Sequence, residues 1–192
     1  MSRIPSLVLS LLVVCALSTG SRASLIQYTV NMDGPSESPP NGSPGTGFGT
    51  VDYDDVAHTL HVHVVFQGLL GTTTASHIHC CTPTPGVSTA GVATTTPTFA
   101  GFPSGVTFGT YDNTLDLTLA SSYNPSYVSA NGGTTASAEL ALMSGAAAGK
   151  AYWNIHSTFA PGGEIRGFLQ PVPEPASLAL LGFGAMLIIR RR

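Results

Sequence analysis

Charge is scarce in this 192-residue chain: 9% of its residues are Asp, Glu, Lys or Arg, and lysine occurs once, at Lys150. Between residues 24 and 171 only Lys150 and Arg166 oppose nine carboxylates, namely Asp33, Glu37, Asp52, Asp54, Asp55, Asp112, Asp116, Glu139 and Glu164. So acidic a segment repels phosphate backbones, which argues against nucleic acid as a partner and makes cations the better match. Long apolar runs are missing as well. The longest stretches, Ile4 to Leu17 and Ala176 to Ile189, fall short of the roughly 20 residues that a membrane-crossing helix needs. Catalytic signatures are equally lacking: no G-x-S-x-G elbow, H-E-x-x-H helix, P-loop or dinucleotide fingerprint occurs, so no hydrolase nucleophile and no phosphate cradle is in view. Enzymatic activity is therefore not the leading expectation.

In place of charge stand 22 glycines, 14 prolines and many Thr, Ser and Val residues, a mixture that favours turns and β-branched strands. An all-β domain is expected over residues 24–171. Alternating segments predict strands at Leu25–Met32, Gly49–Asp54 and His58–Phe66, then around Leu115, Leu117 and Leu119, and finally at Ala151–Ser157 and Glu164–Gln170. The Thr-, Pro- and Gly-rich stretch 80–109 reads as a long surface excursion with short strands inside it. Good helix formers from Thr134 to Ala148 predict one short helix.

Side-chain parity directs attention to the histidines. Leu60, Val62, Val64 and Phe66 share one strand face, so His61 and His63 point the other way. In Ser-His-Ile-His, Ile78 turns inward and His77 and His79 turn outward. If Gly68 to Thr74 closes a hairpin, all four imidazoles become neighbours on one sheet face. The outward position remains the expectation for His61 and His63, and His58 reads as turn decoration beside Asp54 and Asp55. Near the C-terminus Trp153, Ile155 and Ile165 turn inward, leaving Asn154, His156, Glu164 and Arg166 on the reverse face. Pairing His156 opposite Glu164 also sets Asn154 opposite Arg166. Neutral imidazole is a ligand for zinc or copper, which makes His77, His79 and His156 the candidate ligands. Glu164 is the expected acceptor behind one of them, with Asn154 and Arg166 nearby.

Cys80 and Cys81 follow His79 directly. They read as a vicinal disulfide, as a soft ligand beside His77 and His79, or as two unpaired loop thiols. Neighbouring α-carbons lie about 3.8 Å apart across a trans peptide, short of the usual disulfide span of roughly 4.4–6.8 Å.

Both ends carry targeting signals. Arg3, the apolar run to Leu17 and the small residues Ser21 and Ala23 predict a signal peptide over residues 1–23, cleaved after Ala23. Residues 172–192 combine Val172, Pro173, Glu174 and Pro175 with an apolar helix and a terminal Arg190, Arg191 and Arg192. This tail resembles the PEP-CTERM sorting signal. That likeness implies export, transient inner-membrane anchoring through the helix, recognition by an exosortase-type membrane protease, and delivery to the cell surface, often alongside exopolysaccharide and other envelope components. "ASHIHCC" followed by "NIHSTFAPGGEIRG" resembles a CHRD domain over residues 25–171. By residue, the likeness rests on His77, Ile78 and His79, on Asn154, Ile155 and His156, and on Pro161 to Gly167. It implies an immunoglobulin-like or superoxide-dismutase-like antiparallel β-sandwich. The expected function is a non-enzymatic surface binding module with a transition-metal site, the alternative being a redox metalloenzyme akin to copper-zinc superoxide dismutase.

Overall fold

A computed structural model describes residues 25–173. The expected signal peptide (1–23), Glu174 and Pro175, and the apolar helix at 176–189 lie outside the described residues. Among those described, no helix is long and apolar enough to cross a membrane.

Eight antiparallel strands are present: β1 (Leu25–Asp33), β2 (Thr46–Asp54), β3 (Thr59–Gln67), β4 (Thr73–His79), β5 (Gly109–Asp116), β6 (Tyr152–Ser157), β7 (Ile165–Phe168) and β8 (Gln170–Pro171). They form one hydrogen-bonded path, β4-β6-β7-β1-β2-β3-β5, with β8 on β1. The antiparallel all-β expectation holds, and the strands join in a single sheet that curls on itself. The curl is set by glycines where strands approach closely: a Cβ on Gly49 of β2 would sit 3.3 Å from the Trp153 ring of β6, and one on Gly47 3.3 Å from Ile165 of β7. Inside the curl Val30, Val62, Val64, Ile78, Trp153, Ile155 and Ile165 are fully buried. The strand parity read from the sequence holds for Leu60, Val62, Val64 and Phe66, all buried, against the half-exposed His61 and His63.

One correction concerns β3 and β4. They do not form a hairpin: β3 pairs with β2 and β5, while β4 pairs with β6 at the other end of the path. The connection crosses the mouth of the sheet, where Leu70 and Gly71 donate their backbone N–H groups to the Glu164 carboxylate. His61 and His63 consequently lie far from His77 in the strand order. They meet Asp112 at 3.2 and 3.0 Å, and Asp52 lies 3.6 Å from His61.

Two α-helices occur where one was expected. Helix α1 (Pro125–Ala130) starts on Asn124, whose side chain accepts from Ser126 N–H, with Pro125 in the first turn. Helix α2 (Thr135–Ala147) opens on a Thr134–Ser137 capping box. Past its end Gly149 adopts φ +66°, the left-handed conformation that favours glycine there. Glu139 ties α2 to the β2–β3 turn, accepting from Tyr53 Oη at 2.7 Å and meeting His58 Nδ1 at 2.9 Å. His58 is thus a tether rather than decoration. Residues 80–108 carry no named strand, only an isolated bridge between His79 and Val92 and another from Thr94 to Tyr123. This segment still packs Ala93, Phe99 and Phe102 into the core.

Two outcomes follow. A Cβ on Gly167 would lie 1.9 Å from the Asn31 carbonyl oxygen, backbone that cannot yield without parting β1 from β7. Gly167→Ala should destabilise the domain by about 1–3 kcal/mol or more, read from the urea midpoint. Hydrogen bonding and charge from Glu139 raise the His58 pKa above its ordinary value. The tether's contribution is therefore full below about pH 6.5 and lost as pH rises through the raised value. Glu139→Gln should flatten that decline in denaturation midpoints measured from pH 6 to pH 9.

Candidate metal centre

Strands β4 and β6 are registered so that His77 faces Asn154, Ile78 faces Trp153, His79 faces Tyr152 and Ala75 faces His156. Because side chains alternate along each strand, burying Ile78, Trp153 and Ile155 obliges His77, His79, Asn154 and His156 to share the opposite face. Ring centroids of His77 lie 4.8 Å from His79 and 4.7 Å from His156, and His79 to His156 is 5.9 Å. One nitrogen from each ring lies within 4.8 Å of the others, a grouping that could hold a metal ion.

Hydrogen bonding orients two of the rings. Nδ1–H of His79 donates to the Ala90 carbonyl at 2.9 Å, and Nδ1–H of His156 donates to the Pro161 carbonyl, also at 2.9 Å. A carbonyl can only accept, so Nδ1 bears the hydrogen and the lone pair sits on Nε2. Those two Nε2 atoms and both ring nitrogens of His77 are buried without a well-formed hydrogen bond, the Pro97 carbonyl meeting His77 only in poor geometry. The other buried side-chain atoms in this condition among the described residues are Glu37 Oε1 and Asn154 Oδ1. Both lie beside Gly163, where a Cβ would stand 2.7 Å from each. Buried polar atoms are nearly always satisfied, so a concentration of orphans on one sheet face marks a place prepared for something else.

Electrostatics keep the imidazoles neutral. Burial lowers the His77 pKa to about 3, helped by His156 and His79, with the Pro97 carbonyl acting in the opposite direction. Burial likewise brings His79 to about 4 against the Ala90 carbonyl, while His156 and Arg166 push further down. His156, half-buried, is also lowered by desolvation, its bond to Pro161 opposing. Neutral imidazole is the form that ligates.

Arg166 supports the layer from behind. It is 4% exposed, donates from Nη1 to Ser88 O at 3.0 Å and from Nε to Ser36 O, and lies 3.9 Å from Glu37 Oε2. Its guanidinium sits 4.8 Å over the Tyr152 ring, and Tyr152 stacks on His79 at 4.6 Å with 5° between planes. The expected Asn154–Arg166 pairing is present in the sheet register. Glu37 was not singled out by sequence. Burial lifts its pKa to about 7 despite the Arg166 charge.

Several expected partners stand elsewhere. Glu164 backs no imidazole; its carboxylate accepts from Ser43 Oγ at 2.6 Å, Leu70 N at 2.5 Å, Gly71 N at 3.2 Å and Ser157 Oγ. Backbone carbonyls take the part assigned to it, and sequence carries no signal for a carbonyl acceptor. Cys80 and Cys81 are bonded to each other across a cis peptide, Cα to Cα 3.0 Å, so neither thiolate joins the histidines. Val172 and Pro173 of the sorting motif end the described chain, where Val172 N–H donates to Gln27 O at 2.8 Å.

A small antiparallel β domain with a buried tri-histidine face is the class of molecule this geometry defines. Residues 28–169 match the CHRD domain and residues 171–192 the PEP-CTERM protein-sorting motif. The first match covers most of the chain, and the protein belongs to the CHRD domain family. No curated protein and no solved structure matches it.

The lowered imidazole pKa values give a test on metal-free protein. Above about pH 6.5 folded and unfolded chains both carry neutral rings at these positions. As pH falls below that, the unfolded chain takes up protons that the folded one refuses, so stability drops through pH 5 towards the folded values near 4 and 3. Urea midpoints at pH 7.5 and 4.5 should show this fall, and His77→Gln with His79→Gln should make it markedly shallower.

Proposed function

We propose that this protein is an exported cell-surface module whose CHRD domain holds a zinc or copper ion on His77, His79 and His156, and that it works by binding rather than by catalysis. The observation that carries the reading is the set of buried imidazole nitrogens without partners, brought together from two strands. Three neutral imidazoles suit either metal, and the Nδ1 bonds to Ala90 and Pro161 supply the outer support that ligating histidines require. Tetrahedral zinc at about 2.0–2.1 Å needs its ligand nitrogens about 3.4 Å apart, so any pair now nearer the 4.8 Å limit of the group would have to close in on the ion. Asn154 and Arg166 would then hold the face rather than ligate.

The PEP-CTERM motif supports export and processing by an exosortase-type enzyme. In this reading the apolar segment 176–189 anchors the chain in the inner membrane until that protease acts, and envelope components such as exopolysaccharide are the partners. The curled sheet is read as a variant of the superoxide-dismutase-like sandwich that the family resemblance implies. One observation favours a redox metalloenzyme instead: the group has three histidines, which would leave an ion room for a further, exchangeable ligand, and His156 is half-buried rather than fully enclosed.

Elemental analysis and calorimetric titration of the full chain under metal-replete conditions separate these readings. Wild type should bind one zinc or copper ion and gain about 2.7 kcal/mol of stability at a hundredfold excess over Kd. His77→Ala with His156→Ala should lose both. Wild type without metal would remove the metal site and its redox variant together, whereas superoxide turnover by the copper-loaded chain would favour the enzyme.

A further inference from the structure

The Cys80–Cys81 disulfide lacks the usual reason for having one. It closes a loop with no residue between its ends, so it constrains almost nothing of the unfolded chain and offers little of the loop-closure stabilisation that other disulfides give. It joins no two elements. Its surroundings nevertheless make room for it. On α2, a Cβ at Gly145 would lie 2.2 Å from Cys81 Sγ and 2.3 Å from Cys80 Sγ, so this helix carries glycine where alanine would be about 1 kcal/mol better for the helix itself.

Access to the two sulfurs is unequal. Cys80 is 4% exposed and belongs to the core, whereas Cys81 is exposed. Both line an open cleft of about 380 Å³, walled by Val92, Asn124, Tyr127 and Asn131. Groups that would serve a free thiol are already in position. Cys81 Sγ lies 3.6 Å from the Ala141 carbonyl, an acceptor for an S–H, and 4.0 Å from Tyr127 Oη, a donor to a thiolate. Burial raises the Tyr127 pKa to about 12, which keeps that donor protonated.

From this asymmetry we infer that Cys80–Cys81 is a redox-active disulfide that accepts electrons from thiols entering the cleft. A thiolate RS⁻ attacks Sγ of Cys81, forming an R–S–S–Cys81 bond. The Cys80–Cys81 bond breaks, its electron pair leaves on Sγ of Cys80, and that sulfur takes up a proton. A second thiolate attacks the R-bearing sulfur of the mixed disulfide, releasing RSSR and the Cys81 thiolate, which is protonated in turn. Two thiols are oxidised by two electrons, and the protein disulfide is reduced to a dithiol. The inference is independent of any metal on the histidine face.

The test uses the full chain in its oxidised form, with peptide mass mapping so that Cys15 is counted apart. Under native conditions dithiothreitol should produce thiols at Cys80 and Cys81 with the circular dichroism unchanged, and glutathione disulfide should restore the bond. After full reduction and removal of the reductant, a brief pulse of iodoacetamide should label Cys81 at least tenfold more than Cys80. Glutathione disulfide should form a mixed disulfide with Cys80→Ser at least tenfold faster than with Cys81→Ser. Thiols that appear only in denaturant, or equal labelling of the two cysteines in wild type, would overturn the inference. The wild-type labelling decides the matter even where a variant does not fold.

Discussion

A single buried carboxylate determines which strands can meet. Glu164 is wholly buried, and its two oxygens accept from Ser43, Leu70, Gly71 and Ser157, four points drawn from three separate parts of the chain. Burial alone would raise its pKa, yet these donors together outweigh that and hold it below the usual carboxylate range. An ion taken out of water costs several kcal/mol unless donors replace the lost hydration, and charge-assisted bonds of this kind are the ones strong enough to do so. The consequence is topological. With Leu70 and Gly71 fixed at the mouth of the sheet, the chain leaving β3 cannot fold back as a hairpin and instead delivers β4 to β6. His77 and His79 reach His156 only by that crossing.

Behind the histidines a buried cation is accommodated in the same manner, by surrounding it with counterparts. Arg166 is enclosed by two backbone carbonyls, the Glu37 carboxylate and the faces of Tyr152 and Phe168, so its charge is compensated without reaching solvent. Through the Tyr152 stack the same charge stands behind His79 and discourages its protonation. The imidazole nitrogens are treated differently. The Nδ1 sides of His79 and His156 are satisfied by carbonyls, whereas their Nε2 sides and both nitrogens of His77 are left without partners, a division that a layer built for stability alone would not contain.

How far the sequence foretold this depends on the range of the interaction. Strand parity is local, and it assigned Leu60, Val62, Val64 and Phe66 to the core and His77, His79, Asn154 and His156 to one face. The β6–β7 register was anticipated too, with Asn154 set opposite Arg166. The β3–β4 pairing failed because nothing near Gly68–Thr74 reveals a carboxylate more than ninety residues away. Glu37 was passed over for the same reason, since its contacts with Arg166 and Gly163 come from the far end of the chain. Helix α1 was not anticipated, although Asn124 followed by Pro125 is a helix-start signal, because Ser, Gly and Asn dominate the residues around it.

The segment Pro161 to Gly167 shows why a motif without a single metal ligand can still define a site. Pro161 contributes the carbonyl that orients His156. Gly163, at φ +135°, leaves the space into which Asn154 and Glu37 project. Glu164 fixes the crossover, Ile165 fills the core beneath, and Arg166 stacks behind the aromatic wall. Gly167 lets the β1 backbone approach within a distance no side chain would permit. Gly162 alone meets nothing, so packing makes no demand there. Six of the seven residues thus serve the position or protonation of the histidine face without supplying a ligand. Replacing any of them would disturb the histidine face through geometry first, and through ligand chemistry only as a result.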